Sequence, residues 1–305
     1  MKALITGATG LLGRRLVARL PLAQVLSRSP ERAADALGRV AHGWDPMHGP
    51  PPEQALRGAD VVIHLAGDPV ADGRWTAAKK DRIRDSRLVG TRNLVDGLAK
   101  LASRPRVLVS ASAVGLYGDR GDELLDEEAA AGAGFLPEVC LQWEREAQRA
   151  SALGIRVVCV RIGVVLAPDG GALSRMQTPF SLGVGGRLGS GKQWMPWVHV
   201  DDVVGLVLHA CRDQSIHGAM NAVSPSPVTN ADFTRALARA LRRPALLTVP
   251  KMALRIALGE LSEVLLSSQR VVPEVATRTD YRFAYPELEG ALAAIYAREA
   301  NEEVA

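Results

Sequence analysis

Lys2-Ala3-Leu4-Ile5-Thr6-Gly7-Ala8-Thr9-Gly10-Leu11-Leu12-Gly13 stands almost at the N-terminus, and its reading decides the fold. Ala3 to Ile5 is a short apolar run, three glycines follow at the spacing G-x-x-G-x-x-G, and Arg14 to Leu20 reads as a helix. Strand, glycine turn and helix come in the order that a dinucleotide-binding unit requires. Gly7 permits the tight turn, Gly10 lets the backbone approach a pyrophosphate, and Gly13 lets the helix pack against the strand. The helix N-terminus adds free N–H groups and a partial positive charge for the anion.

In such a unit the second strand ends beside the adenosine ribose, about twenty residues further on. Leu22-Ala-Gln-Val-Leu-Ser27 reads as that strand and runs into Ser27-Arg28-Ser29. No acid stands there to hold a ribose 2′-hydroxyl. Arg28 does, with Arg14 and Arg15 just after the glycine turn, and guanidinium groups suit a 2′-phosphate. The expected cofactor is therefore NADP(H) rather than NAD(H). Surface arginines on an ordinary βαβ unit are the plainer alternative.

The bulk composition agrees with an enzyme-sized globular chain. Its 305 residues can hold one large or two modest domains, and 47% apolar with 23% charged residues is the balance of a folded protein. A net charge of +4, spread along the chain, gives no reason to expect nucleic acid. No apolar stretch approaches the length of a membrane span, and Met1-Lys2 leads straight into the first strand without a signal peptide. Cys140, Cys159 and Cys211 lie far apart with no metal-ligand spacing, so no metal is expected. Cys159 and Cys211 read as small core residues and Cys140 as a small helix residue, in a reducing, cytoplasmic compartment.

Strand-like and helix-like runs alternate through the first half. Pro30 to Leu37 reads as a helix, Gly38 to Gly43 as a third strand, Glu53 to Arg57 as a short helix, and Ala59 to Gly67 as a buried strand. A long helix is expected from Thr76 to Leu101, a fifth strand from Arg106 to Ser110, a helix from Pro137 to Leu153 and a sixth strand from Ile155 to Val160. This alternation predicts an α/β fold, a Rossmann-type doubly wound parallel sheet. Beyond Arg161 the pattern turns irregular, with Gly-rich loops from Ala167 to Gly191 and helices at Asp201 to Cys211, Asn230 to Leu241, Pro250 to Leu258, Leu261 to Ser267 and Pro286 to Ala300. The expected division is an NADP-binding domain over 1–165, to which about 195–225 returns, and a smaller α/β substrate lobe over 166–305.

With these residues in view, the chain resembles the extended short-chain dehydrogenase/reductase superfamily over nearly its whole length. Thr6-Gly-Ala-Thr-Gly-x-x-Gly13 is similar to that superfamily's glycine turn, which implies cofactor contacts at Gly7, Thr9, Gly10, Leu11, Leu12 and Gly13. Asp45 matches the acid that approaches the adenine amino group, and Leu65, Ala66 and Gly67 match the strand end that lies along the cofactor. His199-Val-Asp-Asp202 resembles the H-x-D-D segment after the substrate loop. More narrowly, the chain resembles the epimerase-like (nucleoside-diphosphate-sugar epimerase-like) branch. The segments Arg74-Trp75-Thr76, Asp85 to Thr91, Ser110 to Glu123, Gly191 to His199, Asn221 to Pro225 and Ser268 to Pro273 carry that likeness.

The resemblance implies a Ser or Thr after the fifth strand and a Tyr-x-x-x-Lys on the next helix, which together move a proton while hydride moves at the nicotinamide. Ser112 matches the serine. The Tyr-x-x-x-Lys is absent: two registers put Val139 and Trp143, or Cys140 and Glu144, at its positions, and the superfamily's helix asparagine is Arg87. Tyr117 is a substrate-loop or packing tyrosine. Glu144 could act as an acid or base if buried, but beside Arg145 it reads rather as a solvated carboxylate, and His64 reads as a satisfied core histidine. Gly186-x-x-x-x-Gly191-Lys192 imitates a triphosphate loop, but Gln193 stands where a magnesium ligand would be needed. It reads instead as a substrate-side loop with Lys192 ready for an anion.

Aromatic residues make up only 4% of the chain, which singles out its tryptophans. Trp75, Trp143, Trp194 and Trp197, with Arg87, are expected to form an aromatic, basic pocket over the nicotinamide, with packing between the lobes as the plainer alternative. The expected partner is a small-molecule substrate, a carbonyl compound or nucleotide-sugar. A homodimer built from the long helices is common in the resembling superfamily. Two functions stay open: an NADP(H)-dependent epimerase or oxidoreductase of atypical mechanism, and a non-catalytic NADP(H)-binding sensor or scaffold.

Overall fold

The computed structural model describes residues 1–302. Its centre is a seven-stranded parallel sheet. The first five strands are β1 (Ala3–Thr6), β2 (Gln24–Ser27), β3 (Ala41–Gly43), β4 (Val61–His64) and β5 (Val107–Ala113). After the short β6 (Leu124–Leu125) come β7 (Arg156–Ile162), β8 (Val164–Ala167), β9 (Gly186–Leu188), β10 (Trp194–Met195), β11 (Trp197–His199) and β12 (Gly218–Ala222). The sheet order is β12-β7-β5-β4-β1-β2-β3. The chain therefore winds one way from β1 and the other way from β4, and these two strands lie side by side with Thr6 opposite His64. In open parallel sheets the crevice beyond such a reversal is where ligands bind.

Alternate residues of each strand feed two cores. Ala3, Ile5, Val25, Val61, Ile63, Val107 and Val109 pack on one face with Leu16 and Val17 of α1 (Leu11–Arg19). Leu4, Leu26, Val62, Leu108 and Val157 pack on the other with Leu94, Val95 and Leu98 of a long helix. Burial of both faces is why these strands read as continuous apolar runs. The connecting helices are α2 (Pro30–Leu37), α3 (Glu53–Leu56), the long α4 (Ala77–Ala99) and α5 (Phe135–Gln148). Thr76 caps α4 by accepting the Lys79 N–H.

Several boundaries differ from the sequence expectations, each for a local reason. The third strand begins at Ala41 because Gly38 ends α2 in the left-handed region at φ +59°. Helix α5 starts two residues earlier than expected, at Phe135, since a proline in the first turn removes an N–H that has no acceptor there anyway. It tightens after Gln148 into a 3₁₀ turn that Gly154 closes at φ +77°. Strand β7 runs two residues further than expected, to Ile162.

Beyond β7 the chain builds small strand pairs: β8 with β11, β10 with β13 (Val228–Thr229), β9 with β14 (Leu247–Val249), and β6 with β15 (Arg270–Val271). Helices α6 (Gly171–Ser181), α7 (Val200–Arg212) and α8 (Asn230–Ala240) lie among them, followed by α9 (Lys251–Leu258), α10 (Ser262–Leu266), α11 (Glu274–Arg278) and α12 (Leu288–Glu302). Leu166, Leu173, Phe180, Trp197, Phe233 and Leu292 form a separate core there. Helix α7 turns back to the first core through Val204, Leu206 and Val207, and β12 joins the main sheet at its edge.

Candidate cofactor and substrate site

The glycine turn is built by backbone contacts that no side chain could share. Gly7 has φ +66°, and a Cβ on it would lie 2.8 Å from the Leu65 carbonyl carbon. A Cβ on Gly13 would lie 2.4 Å from the Gly7 carbonyl oxygen and 2.6 Å from the Ala8 Cα, so α1 sits directly on the turn. At Gly10, which precedes the first turn of α1, the only neighbour within 4 Å would be the Gly7 oxygen at 3.2 Å, leaving room on the other side. Thr9 is exposed beside this opening, while Leu11 lies near Gly170 and Gly171 and Leu12 packs toward the core; the first N–H groups of α1 have no acceptor within the helix.

Thr6 ties this turn to the end of β4. Its Oγ1 accepts the Leu65 and Ala66 N–H groups at 3.2 Å and bonds His64 Nδ1 at 2.7 Å. Both acceptor positions being used, Thr6 donates to His64, whose Nε2–H then donates to Thr91 Oγ1 at 3.0 Å. His64 is wholly buried and neutral, its pKa pushed down to about 4 by burial. Gly67, the next backbone segment, lies against the guanidinium of Arg87.

At the far end of the crevice Arg28 is exposed after β2, next to Asp45 after β3. Asp45 accepts the Met47 N–H at 3.0 Å and pairs with His48 at 2.9 Å. The Met47 hydrogen bond lowers its pKa, with the charges of His48 and Arg28 adding to the effect. Arg14 and Arg15 do not join Arg28. Both turn to Asp169, in the loop after β8, and this corrects the expectation of a three-arginine phosphate site.

A second cluster lies at the ends of β5 and β7. Ser112 and Arg161 are opposite each other in register, so their side chains share a face. Ser112 Oγ donates to Glu144 Oε1 at 2.6 Å. Arg161 grips the same carboxylate with Nε and Nη2, both at 2.9 Å. Its Nη1 donates to the Tyr117 hydroxyl and the Glu127 carbonyl, again at 2.9 Å, and the Tyr117 hydroxyl bonds Asn221 Oδ1 at 2.7 Å. Burial alone disfavours the Arg161 charge, but the bonded Glu144 carboxylate outweighs it and raises the pKa.

This cluster overturns the expectation of a solvated Glu144. Its side chain is only 12% exposed, because a strand arginine 9% exposed supplies the counter-charge that Arg145 was not needed for. Sequence reading missed Arg161 altogether. The signal was present, since an arginine near the end of the apolar run Val157-Val-Cys-Val-Arg161 needs a buried partner. Of the two registers on α5, Cys140 with Glu144 faces Ser112. Cys140 is buried, and burial pushes its thiol up to about 12, so it stays protonated.

The expected substrate residues divide among different places. Tyr117 is 0% exposed, its pKa raised to about 12 by burial, and its hydroxyl is consumed by Arg161 and Asn221. It is a packing tyrosine and reaches no substrate. Trp75 is buried against Phe135, with rings 5.3 Å apart, and its Nε1 donates to the Val70 carbonyl. Trp143 is buried too, donating to Thr91 Oγ1 at 2.9 Å with Arg87 stacked 5.1 Å from its ring. Trp194 donates to Asp122 and carries Arg270 over its ring at 4.7 Å. Trp197 is buried in the separate core with its Nε1 donating to the Ser226 carbonyl at 3.0 Å, so the single aromatic pocket is not formed: each of the four indole N–H groups already has a partner, in different settings. Lys192 is exposed. The segment before it is strand β9 paired with β14, not a strand-to-helix phosphate loop. His199 is a helix cap, its Nδ1 accepting the Asp201 N–H at 3.1 Å.

Among the described residues no helix is long and apolar enough to cross a membrane, and no group of three or more His, Cys, Asp or Glu is placed to hold a metal ion. The model of the NAD dependent epimerase/dehydratase family matches residues 3–222, and a domain of unknown function, DUF1731, matches residues 249–295. An epimerase family protein of Mycobacterium bovis is 41% identical over 280 residues, covering 92% of both chains. The chloroplastic epimerase family protein SDR39U1 homolog of Arabidopsis thaliana is 39% identical over 302 residues, covering 97% of this chain and 86% of its own. The crystal structure of the human epimerase family protein SDR39U1 (isoform 2) with NADPH superposes with a TM-score of 0.87 at 32% identity, covering 97% of this chain and 99% of that one. With its seven-stranded Rossmann-type sheet and its glycine turn, the chain belongs to the NAD dependent epimerase/dehydratase family.

Proposed function

We propose that this chain is an NADP(H)-dependent oxidoreductase or epimerase of a small carbonyl compound or nucleotide-sugar, in which a Ser112–Glu144–Arg161 relay stands in for the missing Tyr-x-x-x-Lys. Binding of NADP(H) is supported by the backbone room at Gly7 and Gly10, the open start of α1, and the exposed Arg28 placed for a 2′-phosphate. The NADPH in the human relative's structure points the same way. Residues 1–165 with 195–225 would hold the cofactor, and 166–305 would mainly contribute the substrate side. Three unpaired, buried cysteines suit a reducing compartment such as the cytoplasm.

The 2.6 Å hydrogen bond from Ser112 to Glu144, at the end of the strand next to the crevice, carries the catalytic reading. When bound, NADP(H) accepts or delivers the hydride. As an alcohol is oxidised, its hydroxyl proton passes to Ser112 Oγ while the serine's own proton passes to Glu144 Oε1. Arg161 holds the carboxylate in place through both oxygens, Nε on Oε1 and Nη2 on Oε2, which keeps it aimed at Ser112. Reduction runs the same transfers backwards.

Calorimetry of cofactor-stripped protein tests the first part. NADPH is expected to bind more tightly than NADH, and Arg28→Ala to remove that preference. A carbonyl panel with bound NADPH tests the second, with Ser112→Ala and Glu144→Gln expected to slow hydride transfer about a hundredfold or more. Tight NADPH binding with no transfer to any carbonyl would leave a non-catalytic NADP(H)-binding protein.

A further inference from the structure

The crevice is flanked by two arginines, Arg161 buried and Arg87 partly buried, and only one of them is neutralised. Arg161 presents its Nε and Nη2 edge to Glu144. Arg87, on α4, is largely buried between Gly67 and the Trp143 ring, and burial lowers its pKa. Its Nη1 is satisfied by the Asp68 and Ile83 carbonyls, both at 3.0 Å. The neighbouring Asp68 carboxylate is already committed to Lys79, itself buried. Among the described residues Arg87 has no ion pair, and its Nε and Nη2 have no acceptor. Another partly buried arginine without a carboxylate, Arg156, shows the difference: it spends its guanidinium on the carbonyls of Ala210, Cys211 and Ile216.

The open edge of Arg87 is not sealed in, since the residue keeps intermediate exposure. It also lies close to the proposed relay, because the Trp143 ring it stacks on precedes Glu144 directly on α5. A side-on guanidinium edge matches the two oxygens of a carboxylate, as Arg161 and Glu144 demonstrate in the same molecule. A desolvated cation without a counter-charge is unfavourable in the empty crevice and favourable once an anion arrives.

We infer that Arg87 is the substrate-anchoring residue, and that the substrate carries a carboxylate held by the Nε and Nη2 edge of Arg87. This rests on reading the crevice as the place of hydride chemistry, and it narrows the substrate class to small carboxylates bearing a carbonyl or hydroxyl group. The relay then takes the reacting hydroxyl while Arg87 holds the acid end.

The test titrates malonate and, separately, inorganic phosphate into the protein with and without NADPH, following tryptophan fluorescence and heat. Saturable malonate binding is expected, weakened at least about tenfold by Arg87→Gln and also by Arg87→Lys, which keeps the charge but loses the fork. The lysine variant carries the test if the glutamine variant does not fold. NADPH affinity should stay within about twofold in both. Malonate that fails to bind the wild type, or binds the variants equally well, overturns the inference, and so does phosphate binding more tightly than malonate. An NADPH affinity that collapses in the variants would assign Arg87 to the cofactor and overturn it as well. Absence of NADPH binding in the wild type would instead refute the cofactor reading, while the malonate titration without NADPH still decides the role of Arg87.

Discussion

The glycine turn of β1 and α1 and the Ser112–Glu144–Arg161 cluster lie at the same edge of one sheet, and they are held together by opposite means. The turn depends on atoms that are missing. Gly7 and Gly13 let backbone touch backbone, and any Cβ there would penetrate a carbonyl group. The cluster depends on atoms that are present and charged, brought from β5, α5 and β7 into a space where neither ion could sit alone. Steric exclusion acts locally and leaves a signature in consecutive residues. Charge compensation acts across the fold, so its members are far apart in the chain.

The contrast can be broken most forcefully at Arg161. Arg161→Met leaves the Glu144 carboxylate buried without its partner, and chemical denaturation should show a loss of about 3–5 kcal/mol. Adding Glu144→Gln to that variant should recover part of it, because the stranded charge is gone. If Arg161→Met alone costs nothing, the cluster is not the buried ion pair described.

Gly13→Ala probes the other mode. Its Cβ would stand 2.4 Å from the Gly7 oxygen, so α1 must move off the turn, at a cost of about 1–3 kcal/mol. NADPH affinity should fall by more than stability alone explains, since the start of α1 moves with the helix. An unchanged affinity with lowered stability would separate the turn from cofactor binding.

The effect that is smallest near neutral pH joins the two regions through His64. Its folded pKa of about 4 lies below the unfolded value of 6.5, so between these pH values only the unfolded chain takes up the proton. The stability tied to neutral His64 is fully present above pH 6.5 and is lost as the pH falls toward 4, at up to about 1.4 kcal/mol per pH unit. Denaturation curves of the protein and of His64→Asn across that range should differ in slope accordingly. Equal slopes would mean that another group dominates the acid sensitivity.

Much of the fold was legible in the chain because the central strands β1, β4, β5 and β7 are buried on both faces and glycine, proline or a cap punctuates the crossovers. Gly38 and Gly154 stop their helices, and Thr76 starts one. What escaped were contacts between residues with no local mark. Glu144 and Arg145 look like an ordinary exposed pair until Arg161 is seen opposite Ser112. The tryptophans looked like a pocket because scarcity was their only signal, and scarcity does not say where an indole points.

By itself, then, the sequence determined the Rossmann-type sheet, the glycine turn that packs α1 onto it, and the absence of the usual tyrosine and lysine. These follow from period, from steric freedom and from residue identity, all of which are local. Only the tertiary structure decided that Glu144 is a buried partner of Ser112, that Tyr117 is sealed in the core, and that Arg14 and Arg15 face Asp169 while Arg87 keeps an open edge. The physical reason is that the state of a charged or aromatic side chain depends on what surrounds it, and those surroundings come from segments tens of residues away.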